Sequence, residues 1–174
     1  MNTSRFAGAV CAVVVTLVAV SGAHPQEPFG DAAAMTQFQR SVDSYAFLHR
    51  QVQRHLGDAP DRNAMAVGLR AARPSAADGD VFTPIIAAAF RNRIAIAART
   101  QGCTIAAPNT RSAEVPRVGV LAIGTQPLPS CLLGVLPRLP EELEYRAASV
   151  ALILIDTHAN MVVDVLHGAF PTLP

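Results

Sequence analysis

The sequence contains no lysine and no tryptophan, and all 14 of its basic residues are arginines. The formal net charge is +1, and it falls to zero once Arg5 is removed with the leader described below. General nucleic-acid binding depends on an excess of positive charge, so this balance argues against a nucleic-acid partner. The absence of lysine, together with abundant alanine, arginine, valine and proline, is typical of a GC-rich bacterial genome and does not indicate a function.

Several motifs of catalysis and cofactor binding are also absent. The chain has no Gly-x-Ser-x-Gly elbow, no phosphate-binding Walker loop, no Gly-x-Gly-x-x-Gly and no His-Glu-x-x-His. Asp78 and Asp80 bracket Gly79, but the regular series of oxygen ligands that a calcium loop needs does not follow them. We therefore predict no cofactor and no metal site.

The longest hydrophobic run lies at the amino terminus. Arg5 precedes the apolar stretch 6–20, and the small residues 21–23 follow it, which is the three-part pattern of a secretory signal peptide. We predict a signal peptide over 1–23 and a flexible lead-in over 24–30. The run is shorter than the roughly 20 residues that span a bilayer, although a retained anchor is the alternative. We expect no membrane span after cleavage, and a periplasmic or secreted protein.

Two cysteines, Cys103 and Cys131, remain after the predicted cleavage. In an oxidising compartment such a pair predicts a disulfide. The alternatives are two buried free thiols, or one reactive thiol that meets a histidine in the fold. Two cysteines alone cannot form a structural zinc site, which needs four ligands.

The first part of the predicted domain reads as helical. Apolar residues recur every three or four positions from Met35 to Leu56, which predicts a helix that Asp31 caps and Gly57 ends. A shorter helix follows from Asp61 to about Ala72. A third begins at Pro84, with Thr83 as its cap, and runs to about residue 100.

After Cys103 the pattern changes to short apolar runs, which predict strands over 117–123, 143–147, 150–156 and 161–166. Residues 127–140 form a proline-rich connector with one helical turn, and 157–160 form a hairpin turn. We predict a single α+β domain over 31–174. Its N-terminal helices, about 31–100, pack on a small, mainly antiparallel sheet formed by about 103–170.

Three polar residues, Asp156, His158 and Asp164, lie around the predicted hairpin turn and are the catalytic candidates. Aspartate and histidine together can hold a divalent metal or perform acid–base catalysis. The alternative is that Asp156 bonds the turn backbone while His158 is simply exposed. His49 and His55 are six residues apart on the first helix, so they do not share a face, and we expect both to be solvated or stacked on neighbours.

Two acidic or arginine-rich runs are weaker candidates. The acidic run 141–144 is either a recognition patch or a solvated edge. The arginines of the third helix either form an anion site or lie on the solvent-exposed face of that helix.

Two stretches carry a family resemblance. The segment 79–84 (GDVFTP) with Phe90-Arg91, and the segment 139–164 (LPEELEYR, then LILID, AN and VD), resemble a group of uncharacterised exported bacterial proteins. The resemblance implies a shared fold and an extracytoplasmic setting, and it implies no activity.

The sequence favours a non-enzymatic binding or interaction module of the cell envelope, with another envelope protein as the candidate partner. This follows from the lack of a catalytic constellation, the near-neutral charge and a long apolar helix stripe. The alternative is a small hydrolase or metal-dependent enzyme that uses Asp156, His158 and Asp164. A structural subunit that pairs with itself through a sheet edge is a further alternative, and the sequence does not decide the oligomeric state.

Overall fold

The computed structural model describes residues 28–105 and 115–170, in which helices come first and strands follow. The elements in chain order are α1 (Pro28–Leu56), α2 (Arg62–Ala72), α3 (Pro84–Gln101), β1 (Gln126–Pro127), α4 (Ser130–Leu133), β2 (Leu143–Ala148), β3 (Ala151–Asp156) and β4 (Met161–Leu166). The sheet is antiparallel with the order β1-β2-β3-β4, which confirms the predicted α+β class. The predicted signal peptide and residues 24–27 of the lead-in lie outside the described residues.

Helix α1 is amphipathic, as its sequence period predicts. Phe38, Val42 and Tyr45 lie on the same stripe and are buried, because steps of three and four residues return to one face of a helix. Gly57 ends the helix in a left-handed conformation with φ 108°, and its N–H donates to the Gln53 carbonyl. The long helix therefore supplies one side of the core.

The start of α1 differs from the prediction. The helix begins at Pro28, so Asp31 lies in its first turn and is not its cap. The Asp31 carboxylate instead accepts two hydrogen bonds from the Arg93 guanidinium, of 3.1 and 2.6 Å. This ion pair joins the first turn of α1 to the middle of α3.

The ends of α2 and α3 follow their sequence signals. Asp61 caps α2, since its carboxylate accepts from the Ala64 N–H at 2.7 Å. Thr83 is the N-cap residue of α3 and Pro84 its first helical residue, but the threonine side chain makes no capping hydrogen bond. Gly102 ends α3 with φ 64°, a conformation that glycine adopts without strain.

The β3–β4 hairpin contains a bulge that decides where its polar side chains point. Leu154 pairs with Asp164 and Ile155 pairs with Val162, so Val163 is an extra residue between the two pairs. A bulge of this kind re-aims the side chains that follow it. Asp164 consequently shares the helix-facing side of the sheet with its partner Leu154.

Both faces of the central strands are covered. Alternate residues of the sheet, including Tyr145, Leu152 and Leu154, join the helices in the main core, where four aromatic rings (Phe38, Phe82, Phe90 and Tyr145) lie with centroids 4.7–6.3 Å apart. The other face carries a second, smaller cluster centred on Ile153, Ile155 and Val162.

The segment 115–123 covers this second cluster with Val115, Val118 and Ala122. The prediction of a strand over 117–123 is wrong, because this segment makes only an isolated bridge, between Leu121 and Met161. Three backbone hydrogen bonds of 2.9 Å nevertheless hold it beside β4, two with Val162 and one to the Asn160 carbonyl in the preceding turn. It therefore acts as an irregular cover for the sheet.

The predicted disulfide between Cys103 and Cys131 is present, with the two Cα atoms 6.1 Å apart. It joins Cys103, two residues past the end of α3, to the short helix α4, across 28 positions of sequence. In the chain-entropy account, closing a loop of this size stabilises the fold by roughly 3–4 kcal/mol.

Candidate functional site

A buried polar network connects α1 to the end of β3. The side chains of His49 and Asp156 are fully buried, and His49 Nδ1 lies 2.6 Å from Asp156 Oδ2. The Tyr45 hydroxyl donates to the same oxygen at 2.9 Å, and the Ala159 N–H donates to Oδ1 at 2.8 Å. Since a buried carboxylate needs partners to replace water, these contacts account for both oxygens of Asp156.

His158 continues this network to the surface. Its Nδ1 lies 3.0 Å from His49 Nε2, and its side chain is exposed in the turn after β3. When His49 donates from Nδ1 to Asp156, its Nε2 carries a lone pair and accepts from His158. Asp156, His49 and His158 therefore form a chain of hydrogen bonds from the interior to solvent, an arrangement that can orient an imidazole for acid–base chemistry.

Tyr45 supports the network from its other side. Burial, and after it the charge of the neighbouring Asp156, raise the pKa of Tyr45 above its ordinary value, so the hydroxyl stays protonated as a donor. The Arg73 guanidinium lies over the tyrosine ring, 5.3 Å from its centroid. The ring therefore separates a buried carboxylate from a cation near the surface.

The third catalytic candidate, Asp164, is separate from this network. Its buried carboxylate accepts four backbone N–H groups at 2.6–2.7 Å, from Gly79, Val81, Phe82 and Val165. Burial raises the pKa of Asp164, and the four donors oppose that shift. The structure therefore brings Asp156 and His158 together through His49 but uses Asp164 to hold the loop before α3.

The remaining candidates from the sequence are dispersed. Glu142 is buried and pairs with Arg50 at 2.5 Å, so the interpretation of 141–144 as a solvated edge fails at this residue. His55 is exposed at the end of α1, and His167 pairs with Asp78 at 3.0 Å. Within 28–105 and 115–170, no three His, Cys, Asp or Glu residues are arranged to hold a metal ion.

His49 is the member of the network that the sequence interpretation missed, since it predicted a solvated or stacked histidine. A signal was present, because His49 follows Tyr45 by four residues and precedes Val52 by three. Those steps place it on the buried stripe, whereas the preceding apolar residue, Leu48, is only half-buried. A histidine on such a stripe requires a buried partner, and Asp156 is that partner.

A second candidate surface is apolar and lies over the segment that covers the sheet. The side chains of Val120, Leu121 and Ile123 are 44%, 45% and 73% exposed, and we call these three residues the apolar ridge. Leu121 also borders a shallow groove of about 260 Å³, whose other lining residues belong to α2: Arg62, Asn63, Ala66 and Arg70. Contiguous exposed apolar groups of this kind mark interaction sites more often than scattered ones do.

Helix α2 extends the same surface. Val67 is 52% exposed and lies one helical turn from Asn63 and Arg70. Arg70 also fixes the ridge in place, since its guanidinium donates to the Gly119 carbonyl at 3.3 Å. The ridge and the exposed face of α2 are thus one surface with apolar groups and arginines.

Comparison with known proteins adds little to this geometry. No protein-family model matches the chain, and no curated protein matches it. A solved structure that resembles part of it is the C-terminal domain of inner membrane protein CigR from Salmonella enterica, at 22% sequence identity. The match covers 52% of this chain and 88% of that one with a TM-score of 0.35, a similarity too low to support an inference. In the described ranges, no helix combines the length and apolar character needed to cross a membrane.

Proposed function

We propose that the protein is an exported, non-enzymatic interaction module of the cell envelope that binds another protein through the apolar ridge. The predicted leader over 1–23 and the disulfide support an extracytoplasmic location, because disulfides persist in oxidising compartments. The observation that carries the proposal is the exposure of three large apolar side chains within four residues, beside an arginine-lined groove.

The chemistry of the surface favours one kind of partner. Arg62 and Arg70 line the groove beside Leu121, and Arg117 is exposed on the same segment as the ridge. An extended polypeptide with apolar side chains between acidic residues would complement this surface, since its carboxylates would meet the arginines. Burying a side chain such as Ile123 stabilises a complex by about 1.5–3 kcal/mol when burial is complete.

The test uses a fluorescent peptide of the type Asp-Leu-Thr-Leu-Asp and a matched peptide with lysines in place of the aspartates. We expect the acidic peptide to bind more tightly, and Ile123→Ser to weaken its binding about tenfold, a loss of about 1.4 kcal/mol. Ile96→Ser is the control, because Ile96 is 43% exposed on α3 and belongs neither to the ridge nor to the groove beside it. Fluorescence anisotropy measures both affinities.

Three results would contradict this function. The first is equal affinity for the two peptides, and the second is an equal effect of the two substitutions. The third is that the ridge binds something other than a peptide. Sedimentation velocity would detect self-association that Ile123→Ser abolishes, and vesicle flotation would detect binding to lipid.

A second candidate function, acid–base catalysis at His158, is favoured by the hydrogen-bonded chain from Asp156 through His49. Hydrolysis of p-nitrophenyl acetate provides a simple probe of an activated imidazole. His158→Gln should then abolish the activity while His55→Gln, which changes another exposed histidine, leaves it intact. Equal loss in both variants, or none in either, would exclude this function.

A further inference from the structure

A groove of about 410 Å³ lies between the middle of α1 and the loop that follows α2, and it shares no lining residue with the groove beside the ridge. Its size is within the range of sites for small molecules. Helix α1 contributes one wall, with Gln37, Arg40, Ser41, Ser44, Tyr45 and Leu48, and the opposite wall consists of Arg73, Asp80 and Val81.

The wall opposite α1 is held rigidly. Asp164 binds the backbone N–H groups on both sides of Asp80, those of Gly79 and Val81, and that of Phe82. Asp80 itself accepts the Ala77 N–H at 3.1 Å, which closes the turn. A site with a preformed wall loses little conformational freedom when a ligand binds.

Two arginines give the groove unused hydrogen-bond donors. The Arg73 side chain is 16% exposed, and its guanidinium lies over the Tyr45 ring. Within the described parts of the chain it makes two hydrogen bonds, both long, to the Val163 carbonyl and to Asp80 at 3.4 Å. A guanidinium has five N–H donors, so capacity remains. Arg40 is exposed at the rim and makes no hydrogen bond or ion pair within the described parts of the chain. Both cations are therefore available to an anion.

The groove also has apolar surface. Leu48 is half-buried and borders the groove, whereas Tyr45 and Val81 are each only 5% exposed. The Tyr45 hydroxyl is used by Asp156. Arg40 and Leu48 are eight residues apart on α1, about 12 Å along the helix axis. Arg40 and the apolar side chain of Leu48 therefore lie towards opposite ends of the α1 wall, while Arg73 lies over the Tyr45 ring.

We propose that this groove binds a small organic carboxylate, with Arg40 and Arg73 on the carboxylate and Leu48 against the apolar body. Guanidinium groups bind carboxylates and phosphates through charge-assisted hydrogen bonds, so the ligand is an anion. Asp80 lies in the same wall and repels a second negative charge, so a monocarboxylate is favoured over phosphate. The proposal is independent of the function proposed for the ridge.

The experiment titrates the ¹⁵N-labelled protein with hexanoate, with the neutral isostere hexanamide and with inorganic phosphate. We expect saturable shifts of the Ser44, Arg73 and Asp80 amides with hexanoate, and affinity about tenfold lower for hexanamide, as the loss of one charge-assisted hydrogen bond implies. Arg40→Gln should also lower the hexanoate affinity about tenfold.

Arg54→Gln is the matched control, because Arg54 is an exposed arginine of α1 outside the groove. The Arg40 side chain makes no hydrogen bond or ion pair within the described ranges, so its substitution should leave the thermal unfolding temperature unchanged. Circular dichroism measures this temperature. The proposal is overturned by the absence of saturable shifts, by equal affinities for hexanoate and hexanamide, by phosphate binding as well as hexanoate, or by equal effects of the two substitutions.

Discussion

Replacing Asp164 by asparagine should destabilise the fold strongly although the two side chains have nearly the same shape. In the native protein Oδ1 accepts the N–H groups of Gly79 and Val165, while Oδ2 accepts those of Val81 and Phe82. An asparagine amide has one accepting oxygen and one donating nitrogen. In either orientation of the amide, two backbone N–H groups therefore face an NH₂ group.

The magnitude follows from those two orphaned donors. A buried polar group that loses its partner costs about 1–3 kcal/mol, so we expect Asp164→Asn to lower the free energy of unfolding by about 2–6 kcal/mol. Typical domains have a total stability of about 5–15 kcal/mol. The substitution therefore removes a large share of the stability, or all of it.

The assay is urea unfolding followed by far-ultraviolet circular dichroism, because the chain has no tryptophan to report on unfolding. The control is Asp78→Asn, since Asp78 is exposed and its pair with His167 lies at the surface, where such pairs contribute at most about 1 kcal/mol. Hydrogen exchange of the Gly79 and Phe82 amides should also accelerate. A loss below about 1 kcal/mol in Asp164→Asn would refute the argument that the carboxylate holds this loop.

Three further predictions concern the other long-range contacts. Tyr45→Phe removes a donor to the buried carboxylate of Asp156 and should lower the free energy of unfolding by about 1–2 kcal/mol, measured by urea unfolding; an unchanged midpoint would show that the bond contributes nothing. Cys131→Ser should have a free energy of unfolding roughly 3–4 kcal/mol lower than that of the oxidised protein and equal to that of the reduced protein, again measured by urea unfolding. The hydrogen bond from Arg93 holds the pKa of Asp31 below its ordinary value of 3.8. The pair therefore stabilises the fold above that pH and ceases to do so as the pH falls through the lower native value. Asp31→Asn should accordingly reduce stability at pH 7 by less than about 1 kcal/mol, since the pair is about one-third exposed, and should have no effect in strong acid.

Local signals predicted most of the fold. The capping aspartate of α2, the Thr83-Pro84 start of α3 and its terminal glycine all act within a few residues, so the sequence displays them directly. The alternation in β2 and the apolar runs of β3 and β4 identified the three long strands. The segment 117–123 has the composition of a strand, but Gly119 adopts φ 80° and the chain turns there, so regular pairing does not develop.

The polar interior was harder to predict because its partners are far apart in sequence. His49 and Asp156 are separated by 107 positions, and Asp164 is 82–85 positions from the loop residues that it binds. The side of the sheet that Asp164 faces depends on the bulge at Val163, and the local sequence pattern does not predict that bulge. Asp156, His158 and Asp164 lie close together in sequence around one turn, which suggested a single site. The structure instead places Asp156 and His158 in the network with His49, and Asp164 in a separate contact with the loop before α3.

These contacts also separate the residues that maintain the fold from those that remain available for binding. Asp156 and Asp164 have both carboxylate oxygens occupied, whereas Arg40 and Ile123 make few contacts and face solvent. Substitutions of the two acids should therefore lower stability and leave the peptide affinity of the apolar ridge unchanged in the protein that remains folded. Substitution of Arg40 should lower the affinity for the carboxylate, and substitution of Ile123 should lower the affinity for the peptide. Neither should change the stability, because surface side chains with few contacts contribute little to it.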